Sequence, residues 1–215
     1  MHGSRVLITG FGPFPGVPEN PSGWLAESLV EQWLSVEPER NLHARVLPTE
    51  WEATALIPRL CETLQPDVMI HFGVCLQAKG FRIEHSAHNR VTARLDARGA
   101  LPSSPVIRAN GDDRLDTPFP AGALARHLKT NGVAAATSYS AGQYVCNYLY
   151  YLTLDWARQR PRPPLVLFAH VPPLSSTADG FSRDQLLAGA GHILRFAVAF
   201  AEGGHAKTSV IPAPE

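Results

Sequence analysis

Three cysteines in 215 residues, Cys61, Cys75 and Cys146, are too few and odd in number for a disulfide framework. None stands in a CxxC spacing, so the thiols read as free and the compartment as a reducing cytoplasm. Neither sign of charge is in excess: 19 basic and 19 acidic residues leave a formal net charge of +0. With no basic run or stripe, nucleic acid is not an expected partner. No apolar run reads as long enough to span a membrane, so none is expected there either. The opening Met1-His2-Gly3-Ser4-Arg5 has no signal-peptide apolar region. Linkers, internal repeats and low-complexity tracts are absent, and the prolines are scattered at segment ends as loop punctuation.

What is there is an alternation of short apolar runs and amphipathic stretches. Val6–Thr9, residues 42–47, Val68–Gly73, Gly132–Thr137 and Leu165–His170 read as strands, all but 42–47 as buried ones. Helices are expected from Asn20-Pro21, where Asn caps and Pro takes the first turn. Further helices are expected over 51–64 with a break at Pro58, over 121–131, and from Val145 onward. A last one opens at the capping box Ser182–Gln185, with Phe181 stapled on Leu186, and stops at Gly203-Gly204. Residues 74–118 read only as loops and short strands. The pattern implies an α/β sandwich with a largely parallel sheet. It predicts a single domain over 1–204 and a flexible tail over 205–215.

Chemistry concentrates in Ser140-Ala141-Gly142-Gln143-Tyr144-Val145-Cys146-Asn147. A strand leads into a small-residue turn, and Val145, Leu149, Leu152 and Trp156 then recur at helical spacing. Cys146 falls in the first helical turn, where free N–H groups and the helix dipole favour a thiolate. The backbone N–H of Cys146 is a natural oxyanion donor. His170 ends an apolar strand, the edge of an α/β sheet where sites form. It could take the thiol proton and return it to a leaving amine. Taken alone, Cys146 is equally a small buried hydrophobe and His170 a satisfied strand-end histidine. A third, orienting carboxylate cannot be chosen from spacing.

Other patterns are weaker. Gly10-x-Gly12-x3-Gly16 has the wrong spacing for a dinucleotide loop, and Pro13 and Pro15 remove donors. His71, Cys75, His85 and His88 fit no common zinc spacing, so no metal and no cofactor is expected. Ser140 lacks the G-x-S-x-G frame, and Cys75, the rival thiol, lacks a following helix start.

Three stretches stand together: Thr9-Gly-Phe-Gly-Pro-Phe-Pro-Gly with Asn20-Pro21-Ser22, Ser140–Asn147 and Phe168–Pro172. With these the sequence resembles the pyroglutamyl peptidase I family of cysteine peptidases, the first being similar to that family's T-G-F-x-P-F-x-G and N-P-S. Ser140–Asn147 is similar to its nucleophile motif S/T-A-G-x-F/Y-V-C-N, and Phe168–Pro172 to its F-x-H-V/I-P. The motifs occur in the family's order, over roughly residues 6 to 200. The resemblance implies a cofactor-free peptidase that removes N-terminal pyroglutamate from peptides through Cys146, His170 and a glutamate. Glu84, followed by Asn89 and by Leu95-Asp96, matches the glutamate's place. The resemblance further implies substrate contacts from Phe11, Phe14, Thr49, Tyr144, Val145 and Val74, and assembly into a homo-oligomer is open. Arg90 or Arg94 is a candidate second oxyanion donor. Two departures stand out: where the family has Q-A-G-G after the strand glycine, this chain has Val74-Cys75-Leu76-Gln77, and the vicinity of Glu84 is rich in His and Arg. The competing readings are an amidohydrolase with altered lactam or N-acyl specificity and a binding protein with weak or no turnover.

Overall fold

A computed structural model describes residues 3–174 and 180–208. In chain order these form β1 (Val6–Phe11), α1 (Pro21–Val36), β2 (Leu42–Leu47), α2 (Trp51–Ala55), α3 (Ile57–Leu64) and β3 (Val68–Val74). Three short strands follow, β4 (Phe81–Glu84), β5 (Ser86–His88) and β6 (Arg114–Asp116). The chain ends with α4 (Ala121–Thr130), β7 (Ala135–Ser138), α5 (Val145–Arg158), β8 (Leu165–Val171) and α6 (Arg183–Thr208).

Six strands make one sheet in the order β2-β1-β3-β8-β4-β7, and β5 and β6 pair separately. The run from β2 to β8 is parallel. β4 lies antiparallel to β8 and parallel to β7, so two strands run against the rest. Side-chain alternation along each strand sends residues to two cores. Val6, Ile8, Ile70, Phe72, Phe81, Ile83, Leu167 and Ala169 face α1, α4 and α6. Leu7, Phe11, Met69, Val166 and Phe168 face α2, α3 and α5. The period of two therefore places Gly73, His170, Arg82 and Glu84 on the α5 side, at one end of the sheet.

Local chemistry explains the elements. Asn20 caps α1, its side chain accepting from Ser22 N at 3.2 Å, with Pro21 in the first turn. Pro58 sits in the first turn of α3, so the break falls at Leu56, where Pro is tolerated just after it. The capping box closes at α6: Gln185 N donates to Ser182 Oγ at 3.2 Å and Ser182 N to Gln185 Oε1 at 2.9 Å.

Three expectations are corrected. β7 is the outermost strand and only Ala135 in it is buried; an alanine run is apolar enough to read as core but too small to need covering. α6 continues through Gly203-Gly204 to Thr208, since a helical glycine costs only about 1 kcal/mol. The tail expected from 205 thus begins helical, and 209–215 lie outside the described residues. Arg183–Gly203 is also long and apolar enough to cross a membrane by composition, with half of its apolar window buried. Leu186, Ala190, Ile193, Leu194 and Ala197 on it are fully buried against the sheet, so its hydrophobicity is that of a core helix.

Candidate active site

The end of the sheet beneath α5 opens into a pocket of about 460 Å³. Its first wall is the loop after β1. Gly10 packs so closely on α1 that a Cβ there would come within 1.9 Å of Ser22 O. Ser22 Oγ accepts from Phe11 N at 3.0 Å. Asn20 Nδ2 and Thr49 Oγ1 both donate to Gly12 O, at 3.0 and 2.8 Å. These bonds hold Phe11 and Phe14 at the pocket. Phe14 stands 6.0 Å from the Tyr144 ring, and Tyr144 stacks edge-on to Trp51 at 5.3 Å. Arg94 covers the Tyr144 ring at 4.7 Å, and the Tyr144 hydroxyl donates to Leu95 O at 3.0 Å.

Behind that loop Asp96 accepts from the backbone N–H of Trp51, Arg98 and Ala100. Burial alone would raise its pKa, but those N–H groups hold the carboxyl below its ordinary value.

The second wall carries the reactive groups. Cys146 sits at the second position of α5, whose cap, Tyr144, supplies no side-chain bond to the free N–H groups. Asn147 anchors this helix start: its Nδ2 donates to His88 O and Arg90 O at 2.8 and 3.0 Å, and its Oδ1 accepts from His88 N at 2.8 Å. Cys146 and His170 line the same pocket. His170 Nδ1 lies 2.8 Å from Glu84 Oε1, and Glu84 is fully buried behind it. Tyr150, at the core of α5, donates to Glu84 O at 2.9 Å, which fixes β4 under the helix.

The helix start is one of several influences on this thiol. Desolvation, then the Glu84 charge, pushes the Cys146 thiol up, and its own N–H opposes them. The sulfur is only half-buried from solvent, and a neighbouring base eases removal of its proton.

The structure gathers Phe11, Phe14, Thr49, Val74, Tyr144 and Arg94 around Cys146 and His170. Two expected contacts fall elsewhere. Val145 is wholly buried in the core between sheet and α5; at the first position of the helix it faces inward while its neighbours flank the pocket. Arg90 is exposed and does not line the pocket, its carbonyl serving Asn147 instead. Asn89 had served only as a positional match, and Arg82 had gone unremarked. Asn89 accepts from Ile107 N and Arg108 N and donates to Arg108 O and Gly111 O, which shapes the 105–111 loop. Arg82 lines the pocket directly opposite His170 across the β4–β8 pair. Its signal was the spacing to Glu84, two residues apart on one strand face. A further groove of about 500 Å³, between Trp33 of α1 and Arg195 of α6, lies on the other face of the sheet, away from these groups. Among the described residues no three His, Cys, Asp or Glu side chains converge as a metal set.

A thiol at a helix start, with an imidazole and a buried carboxylate on neighbouring strands of an α/β sheet, has the parts of a cysteine hydrolase. The family model for pyroglutamyl peptidase matches residues 4–183, and the chain belongs to that family. It is 32% identical to the pyrrolidone-carboxylate peptidase of Thermococcus litoralis over 170 residues, 78% of this chain and 76% of that protein. It is 32% identical to mouse pyroglutamyl-peptidase 1 over 184 residues, 84% of this chain and 83% of that protein. The solved Thermococcus litoralis pyrrolidone carboxyl peptidase superposes with a TM-score of 0.83 at 25% identity, covering 99% of this chain and 100% of that one. The pyroglutamyl peptidase I of Bacillus amyloliquefaciens gives 0.79 at 27% identity, over 92% and 98%. These structures carry the same α/β architecture, a mostly parallel six-stranded sheet between helices.

Proposed function

We propose that this chain is a cysteine exopeptidase that removes an N-terminal pyroglutamyl residue from peptides, with Cys146, His170 and Glu84 as its working groups. The observation that carries this is the 2.8 Å contact between His170 Nδ1 and Glu84 Oε1 on the pocket that also holds Cys146. Glu84 fixes the His170 tautomer with Nδ1 protonated, which leaves Nε2 free as a base. His170 takes the thiol proton as sulfur attacks the pyroglutamyl carbonyl. The negative oxygen that forms meets the Cys146 N–H at the helix start, and Arg94 is the nearer of the two arginine candidates for a second donor. The imidazolium, stabilised by Glu84, gives its proton to the departing amine as the C–N bond breaks. Water then attacks the thioester, His170 again taking and returning a proton, and pyroglutamate leaves with the thiol restored.

Pyroglutamate is a flat, uncharged lactam. Phe11, Phe14 and Tyr144 offer apolar walls for its ring. A charged N-terminal glutamine would bring an ammonium against those walls with no partner, and would be rejected. No cofactor enters. Three free thiols support a reducing compartment, a cytoplasmic one, for the working enzyme.

Hydrolysis of a fluorogenic pyroglutamyl amide, with Cys146→Ala as control, tests the proposal. Turnover that Cys146→Ala abolishes and EDTA leaves intact is expected. Binding of pyroglutamyl peptide without turnover would make the chain a binding protein. Preferred turnover of another N-blocked amide would make it a related amidohydrolase.

A further inference from the structure

The sheet acts as a ruler across the pocket. Phe11 ends β1, Gly73 lies on β3 beneath Cys146, His170 is on β8 and Arg82 on β4, and these four strands are consecutive neighbours. Adjacent strands stand about 4.8 Å apart. The aromatic wall and Arg82 are therefore at opposite ends of the pocket, with sulfur and imidazole between them. On the functional reading above, on which this inference rests, the lactam fills the β1 end and His170 protonates the leaving amine. The residue bearing that amine then extends over β8 toward β4.

Arg82 waits there with its guanidinium already oriented. It pairs directly with His170 in antiparallel register, so both side chains rise on the same face. Nη2 donates to Ser138 Oγ at 2.7 Å and Ser140 O at 3.3 Å. Nε lies 3.5 Å from Glu84 Oε1 but makes no hydrogen bond among the described residues. Nη1 meets only the Cys75 sulfur, at 3.9 Å, which is a weak acceptor. The side chain is 38% exposed and lines the pocket. Among the described lining residues there is no carboxylate, while Arg94 adds a second cation.

We propose that Arg82 is a specificity-determining residue that binds a carboxylate on the residue following the pyroglutamyl group, so that acidic leaving residues are preferred. The carboxylate is an acidic side chain or, in a dipeptide, the C-terminal carboxylate; both lie within a few bonds of the departing nitrogen. A planar guanidinium with spare donors meets either one by charge-assisted hydrogen bonds.

The test compares kcat/KM for pyroglutamyl-alanine amide, pyroglutamyl-glutamate amide, free pyroglutamyl-alanine and pyroglutamyl-lysine amide, in wild type, Arg82→Gln and Arg82→Lys. Wild type should favour at least one carboxylate substrate over the neutral amide by on the order of tenfold, the size of one charged hydrogen bond. It should disfavour the lysine amide, and added salt should shrink the preference. The glutamate amide and the free dipeptide separate side-chain from main-chain recognition. Arg82→Gln slows every substrate through its contact with Glu84, so the ratio between substrates is read and not the rate. That ratio should fall to about one in Arg82→Gln and be partly kept in Arg82→Lys. A flat wild-type profile, or a preference that survives Arg82→Gln, overturns the inference while leaving the peptidase reading intact. No hydrolysis of any pyroglutamyl substrate would overturn that reading itself.

Discussion

The sulfur of Cys146 rests directly over Gly73: a Cβ added at Gly73 would come within 2.9 Å of Sγ and of Phe168 Cζ. Phe168 is fully buried and has no room to retreat, so the shift falls on the sulfur, which borders the open pocket. The glycine is there for close approach of strand and nucleophile. Gly73→Ala is expected to displace the sulfur by several tenths of an ångström and lower kcat by roughly a hundredfold, the scale of a misplaced reacting group. The fold should persist, with modest destabilisation from overpacking. Steady-state kinetics beside urea unfolding checks this; wild-type kcat in a folded variant would separate the contact from catalysis.

Glu84 is fully buried behind His170 and, on the proposed mechanism, acts through it. Glu84→Gln should reduce kcat by roughly ten- to a thousandfold with little change in KM, because the orienting charge matters most when imidazolium forms. The loss should be smaller than for Cys146→Ala. The double variant Glu84→Gln with His170→Ala should be hardly worse than His170→Ala alone, as for residues that work as a unit. Losses that simply multiply would leave a Cys146–His170 pair and take Glu84 out of the mechanism.

Much of this site was legible because its signals are local. The capping of α1 by Asn20, the turn before α5 and the apolar run ending at His170 are each encoded within a few residues, as is the alternation that makes the fold α/β. Glu84 came from resemblance alone, since its partnership with His170 depends on β4 entering the sheet antiparallel between β8 and β7. No local pattern fixes that pairing. Arg82 was hidden for the same reason: four residues of strand inside an irregular region are too few to show a period. A helix start is visible in sequence, while the nearness of Glu84 to the thiol is not. At Val145, adjacency to the nucleophile passed for exposure to the pocket.

His71 lies outside the chemistry but sets a pH limit on the fold. It is fully buried on β3, beside Thr9 on β1, with Nδ1 and Thr9 Oγ1 2.7 Å apart. Nε2 has no partner among the described residues. Protonation would bury a charge and point a second N–H at nothing, and burial accordingly lowers the pKa to about 3. In the unfolded chain the same imidazole titrates near 6.5. Between those values the unfolded state binds the extra proton and the folded state does not, so His71 makes stability fall as pH drops from about 6.5 toward 3. His71→Asn cannot take up that proton, and its side chain can keep the Thr9 bond. The variant should be less stable than wild type at pH 7, through lost volume. Urea unfolding at pH 7, 5.5 and 4.5 should then show the two curves converging, because wild type loses more stability over that interval than the variant does. Curves that stay parallel would mean His71 is protonated in the folded protein, with an acceptor for Nε2 in solution.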